Sequence, residues 1–124
     1  RVDFAGFVDW HELPDRAFRL GDVFCFPSRY DGWGLALVEA MASGMPVIGT
    51  LSTGAALEFI EPGVSGWLIP GDDAELLYNA MAEALEAPLT IMGQAAAHAV
   101  KTHTLEIGSN RFWEASTSAV NQTD

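Results

Sequence analysis

Residues 27–50 read PSRYDGWGLALVEAMASGMPVIGT, and the fold turns on them. Just before them, residues 22–26 (DVFCF) are almost wholly apolar, as expected of a strand covered on both faces. Pro27 stops that strand. Gly32 and Gly34 then flank Trp33, letting the backbone approach a neighbour without obstruction from a Cβ. Residues 34–43 (GLALVEAMAS) read as a helix, Gly44 takes the C′ position that ends it, and Pro46 follows shortly. Residues 46–50 (PVIGT) make the next strand. Strand, glycine turn, helix, strand is the repeating unit of an α/β domain with a parallel sheet.

The same alternation continues on either side. Residues 2–8 (VDFAGFV) have a strand's length and composition, and Pro14 opens a short helix predicted to reach Leu20. Downstream, a short helix over 55–60 closes at Pro62-Gly63, and residues 66–69 (GWLI) form a fourth strand. Asp72 with Glu75 predicts a capping-box start to a helix running through Glu86, with Leu76, Leu77, Ala80, Met81, Ala84 and Leu85 as its apolar stripe. Two weaker amphipathic helices are predicted over 90–102 and 105–118. Residues 121–124 read as a frayed tail, leaving residues 1–120 as one partial domain.

Bulk composition narrows the function. Half the residues are hydrophobic (49%) and few are charged (19%), which places the chain among folded globular domains. A net charge of -11 with six Lys and Arg excludes a nucleic-acid surface, which needs clustered cations. An acidic chain must therefore bind any anionic ligand through helix N-termini and backbone N–H groups. The single cysteine, Cys25, fits a reducing compartment and reads as a structural thiol, since no basic neighbour in sequence would activate it. No apolar run is long enough to span a bilayer, and no signal peptide is visible. His11, His98 and His103 have no ligand spacing with cysteines or carboxylates, so no metal is assigned.

In parallel sheets the ligand lies beyond the carboxyl ends of the strands, after Val8, Phe26, Thr50 and Ile69 here. The richest of these segments follows Phe26. Asp31 stands before the helix, Glu39 lies in its second turn, and two glycines lead into an N-terminus suited to phosphate. Glu39 sits among Ala36, Leu37, Val38, Ala40, Met41 and Ala42, where an acid is costly to bury unless something donates to it. On spacing alone two readings stand level: a ligand-binding turn, or a tight turn whose glycines serve geometry while Glu39 faces water.

The segment closely resembles the Glu-x7-Glu motif of the retaining GT-B glycosyltransferases that include bacterial glycogen synthases, sucrose-phosphate synthases and lipopolysaccharide mannosyl- and glucosyltransferases. Their usual form is PS-x-x-E-G-F-G-L, a helix with L-E-A-M-A, then Gly and a Pro-Val-Val/Ile strand. Asp31 takes the first acidic position and Glu39 the second. Gly54, Glu58 and Gly63 match the following G-x-x-x-E segment, and residues 2–6, 21–28 and 66–69 resemble the family's other strands; Trp113-Glu114 resembles the domain's aromatic end. The resemblance implies an α/β fold, a Rossmann-like parallel sheet with flanking helices, here four predicted strands of an incomplete GT-B C-terminal domain.

It also implies roles. Asp31 would be the catalytic carboxylate at the donor-sugar hydroxyls, and Glu39 would accept from the ribose hydroxyls of a nucleotide-diphosphate sugar. Backbone N–H groups of Gly32, Trp33, Gly34 and Leu35 would face sugar and diphosphate. Arg29, the nearest cation, and Glu58 are secondary candidates, each with a solvated surface role as its plainer reading. The family uses no cofactor and no catalytic metal, backbone dipoles standing in for the cation. Asp31 replaces the commoner Glu, one methylene shorter; Trp33 replaces Phe.

Two features of the family are missing from this sequence: the N-terminal acceptor domain and the G-R-x-x-x-x-K segment whose Arg and Lys neutralise the diphosphate. The expectation is therefore a chain that starts partway through the donor domain and transfers sugar poorly alone, since each lost charge contact costs about 3–4 kcal/mol of barrier. The family's 3-2-1-4-5-6 strand order puts residues 2–8 two places from residues 22–26. That gap predicts direct pairing of the two, completion by another copy of the chain, or a longer parent. The parent is expected in the cytoplasm, peripheral at the inner membrane face, transferring a hexose to a glycan or lipid-linked acceptor. A non-catalytic nucleotide-sugar-binding or assembly module is the alternative; a related epimerase would need acidic and basic catalytic residues that have no match here.

Overall fold

The computed structural model describes residues 1–121. In chain order the elements are α1 (Leu13–Arg16), β1 (Phe24–Phe26), α2 (Leu35–Ala42), β2 (Val47–Thr50), α3 (Gly54–Phe59), β3 (Gly66–Ile69), α4 (Ala74–Ala84), α5 (Leu89–Val100) and α6 (Leu105–Asn121). The strands form one parallel sheet in the order β1-β2-β3. Phe24 pairs with Val47, and Val47 pairs in turn with Gly66.

The central strand explains the layers. All four residues of β2 are buried, and alternate side chains leave by opposite faces. Val47 joins a core with Leu37, Val38 and Met41 from α2, Ala55 and Ala56 from α3, and Ala96 and Val100 from α5. Ile48 points the other way, to Trp67 of β3, Ala80 and Ala84 of α4, and Met92. Trp67 keeps its indole N–H satisfied by donating to Glu83 Oε2 at 3.0 Å. Helix α2 ends as its sequence requires. Gly44 has φ +82°, its N–H donates to Met41 O, and Met45 N–H donates to Ala40 O, closing a Schellman pair.

Three expectations need correction. Residues 2–8 are not a strand, so the sheet has three strands instead of four. Val2, Phe4 and Phe7 are exposed, and Gly6 at φ +68° breaks the extended path. A β-branched pattern creates no ladder without a neighbour to hydrogen-bond, and this segment does not pair with β1 among the described residues. The cap of α4 is Asp73, not Asp72: its Oδ1 accepts from Glu75 N and Leu76 N, each at 3.0 Å. The α4 stripe is also narrower than predicted. Ala80 and Ala84 are buried and Leu77 half-buried, while Leu76, Met81 and Leu85 are exposed. Met81 and Leu85 flank an open groove beside Val23 and Cys25 of the sheet's β1 side. Of the predicted tail, Asn121 still belongs to α6, and the rest lies outside the described residues.

Candidate functional site

The carboxyl ends of β1 and β2 face one loop, residues 27–34. Thr50, the last residue of β2, donates from Oγ1 to Ser28 O at 2.6 Å. Ser28 Oγ in turn donates to Tyr30 O at 3.0 Å. The loop then runs beside the β2–α3 connection: Asp31 N donates to Ser52 O (3.1 Å), Gly54 N to Asp31 O (3.4 Å) and Ala55 N to Trp33 O (2.7 Å). Asp31 and Thr53 thus form a one-residue parallel bridge that extends the sheet toward the site.

Gly34 turns the chain into α2 at φ +90°. A Cβ there would stand 2.5 Å from Thr53 Cγ2, so only glycine fits both the dihedral and the space. Gly54 is needed from the opposite side, where a Cβ would meet Gly32 O at 2.7 Å. Asp31, half-buried, folds its carboxylate back in an Asx turn, with Oδ1 accepting from Trp33 N at 2.9 Å. One of the four predicted N–H donors is therefore engaged within the chain. Those of Gly32, Gly34 and Leu35 have no acceptor among the described residues. They open on the positive end of the α2 dipole.

Glu39 lies in the second turn of α2 and is exposed. Its side chain borders an open groove of about 480 Å³ with Trp10, His11, Leu13, Pro14 and Phe18. The Trp10 and His11 rings lie against one another with centroids 3.5 Å apart. The groove therefore has an acidic residue, Glu39, and an exposed aromatic residue, Trp10, in one lining. Trp10 is not among the candidates that the sequence offers. The available signal was position: Trp10 follows residues 2–8, at the end of a segment with strand composition.

The remaining candidates are held apart from this groove. Arg29 Nε donates to Asp72 Oδ1 at 2.8 Å, at the rim of a separate cleft of about 270 Å³ formed with Thr50, Ile69 and Leu77. Its charge is thus already offset by a carboxylate. Glu58 is exposed on α3 and borders a third cavity with Trp33, Phe59, Thr102, His103 and Arg111. There the Trp33 ring meets Phe59 edge-on at 5.9 Å and His103 at 5.2 Å, so Trp33 packs the glycine turn against the end of α5. Cys25 is half-buried on β1, and burial pushes its thiol pKa up, away from the reactive thiolate. No helix among the described residues is long and apolar enough to cross a membrane.

Known proteins resemble this chain in sequence and in fold. The family model described as "Glycosyl transferases group 1" matches residues 1–102. The chain is 39% identical over 79 residues to the lipopolysaccharide core biosynthesis mannosyltransferase LpsB of Rhizobium meliloti, covering 61% of this chain and 22% of LpsB. Among solved structures, sucrose-phosphate synthase from Thermosynechococcus elongatus superposes with a TM-score of 0.79 at 30% identity, covering 96% of this chain and 31% of that one. Anabaena HepE, solved with UDP and glucose, gives 0.80 at 28% identity, covering 95% of this chain and 32% of its own. HepE has also been solved with UDP-glucose. The chain thus spans about a third or less of the proteins it matches. With a glycine turn between Asp31 and Glu39, a parallel sheet in consecutive order and a family match over most of its length, this chain belongs to the group 1 glycosyl transferases and has the fold of part of a GT-B enzyme's C-terminal domain.

Proposed function

We propose that this chain binds the nucleotide-diphosphate-sugar donor of a retaining, metal-independent glycosyltransferase that moves a hexose to a glycan or lipid-linked acceptor. One observation carries the reading. Asp31 and Glu39 stand at either end of the opening turns of α2, and the Gly32, Gly34 and Leu35 N–H groups between them have no acceptor among the described residues. Ribose hydroxyls would donate to Glu39, with Trp10 and His11 beside the nucleoside. The diphosphate would lie at the α2 N-terminus, where backbone dipoles stabilise negative charge without a cation. Asp31 would accept from the sugar hydroxyls and hold the sugar during transfer. The UDP and UDP-glucose held by HepE support a nucleotide sugar as the ligand.

An acceptor-binding domain and the cationic diphosphate contacts would come from a further part of the parent protein or from a second copy of the chain. Calorimetric titration with UDP-, GDP- and ADP-sugars tests the reading. Heat with one of them, lost in Glu39→Gln, is the expected result. Silence with all three would favour an assembly role for the fold, and turnover by this chain alone would overturn the expected need for a partner domain.

A further inference from the structure

Thr53 occupies the N-cap of α3, yet its hydroxyl caps nothing. An N-cap threonine ordinarily accepts from a free N–H of the first turn, worth ~1 kcal/mol. Here the side chain is fully buried and turned inward, with Oγ1 3.3 Å from Thr50 Oγ1. Thr50 is buried too, and its own hydroxyl reaches the Ser28 carbonyl. A carbonyl cannot donate, so the single Thr50 proton goes to Ser28. The proton between the two hydroxyls must then be Thr53's. The donors run in one direction, from Thr53 to Thr50 to Ser28 O, and each bond polarises the next.

This relay ends at the start of the loop that carries Asp31. The same short segment holds the middle of the loop, with Asp31 N donating to Ser52 O and Gly54 N donating to Asp31 O. The Thr53 methyl meanwhile packs beneath Gly34. One residue therefore governs the loop twice, by its hydroxyl through Thr50 and by its methyl at the helix entry. We infer that Thr53 and Thr50 are positioning residues that fix the Asp31 carboxylate and the Gly34 turn against the sugar of the donor, a role that rests on the donor-binding reading above.

Valine replaces a threonine hydroxyl with a methyl at nearly equal volume, and serine keeps the hydroxyl. In T53V and T50V the Asp31 amide should exchange with solvent roughly tenfold faster, the effect of losing about 1.4 kcal/mol of restraint. The ratio of UDP-glucose to UDP affinity, or of GDP-mannose to GDP, should fall by a similar factor, and T50S should restore both. Unchanged exchange would overturn the relay. Faster exchange with an unchanged ratio would overturn the positioning role, because a merely structural effect moves both affinities together. A wild-type chain that binds no nucleotide sinks the donor reading and the positioning role with it, while exchange still decides whether the relay holds the loop. Should the valine variants not fold, NMR of the unmodified chain decides the relay. The Thr50 hydroxyl proton should be visible and slow to exchange, and exchange at the bulk rate would refute it.

Discussion

The γ-methyl of Thr53 lies 2.5 Å from where a β-carbon on Gly34 would stand, so two residues from different elements share one space. Gly34 also needs φ +90°, which an L side chain resists. Gly34→Ala should therefore cost about 2–5 kcal/mol, the sum of left-handed strain and overpacking. Urea denaturation of the two chains checks this. A loss below about 1 kcal/mol would mean that the loop relaxes freely around residue 34.

Glu39 is exposed, and among the described residues the Asp31 side chain engages only a neighbouring N–H, so neither side chain is part of the core. Glu39→Gln and Asp31→Asn should each leave unfolding free energy within about 0.5 kcal/mol of wild type. Nucleotide-sugar affinity should fall about tenfold or more in both, because a hydrogen bond to a charged acceptor contributes about 1.5–3 kcal/mol. Calorimetry separates the two effects. Equal losses of stability and affinity would mark these carboxylates as structural.

The glycine turn, α2 and its C-terminal Gly44 were legible because each signal is local: Pro27, the Gly-x-Gly spacing and Gly44-x-Pro46 act within a few residues. The failures are all non-local. Residues 2–8 carry a strand's composition, but a strand also needs a neighbour, and among the described residues none pairs with it. Asp72 and Asp73 are equally good caps on paper. The structure separates them by sending Asp72 to φ +63° and onto Arg29, 43 residues away in sequence. The Trp10 groove escaped for the same reason, since only folding brings residues 10–14 beside Glu39.

Burial raises the Cys25 pKa above the thiol's ordinary 9.0. The native chain then keeps a proton that the unfolded chain releases, so stability falls as pH rises between 9.0 and the raised folded value. Below that window the contribution is fully present. Measured against Cys25→Ala, wild type should lose stability more steeply on the alkaline side, and its thiol should react slowly with iodoacetamide near about pH 8. Rapid alkylation of the folded chain would contradict a half-buried, protonated thiol.

Arg29 and Asp72 make the last case, and magnitude decides what their contact does. Their side chains are 82% and 72% exposed, so the ion pair contributes about 0.2–1 kcal/mol to stability and less in salt. Its larger effect is on charge: Asp72 offsets the cation nearest the glycine turn, in a chain of net charge -11. Asp72→Asn keeps a residue that tolerates positive φ while freeing the guanidinium. An anionic donor should then bind a few-fold tighter, and Arg29→Ala a few-fold weaker. Both differences should shrink as the Debye length drops from about 10 Å at 0.1 M salt to about 3 Å at 1 M. Titrations at those two ionic strengths test the point. Tighter binding that survives high salt would indicate a direct Arg29–phosphate contact, because a contact pair is screened far less than a charge at a distance.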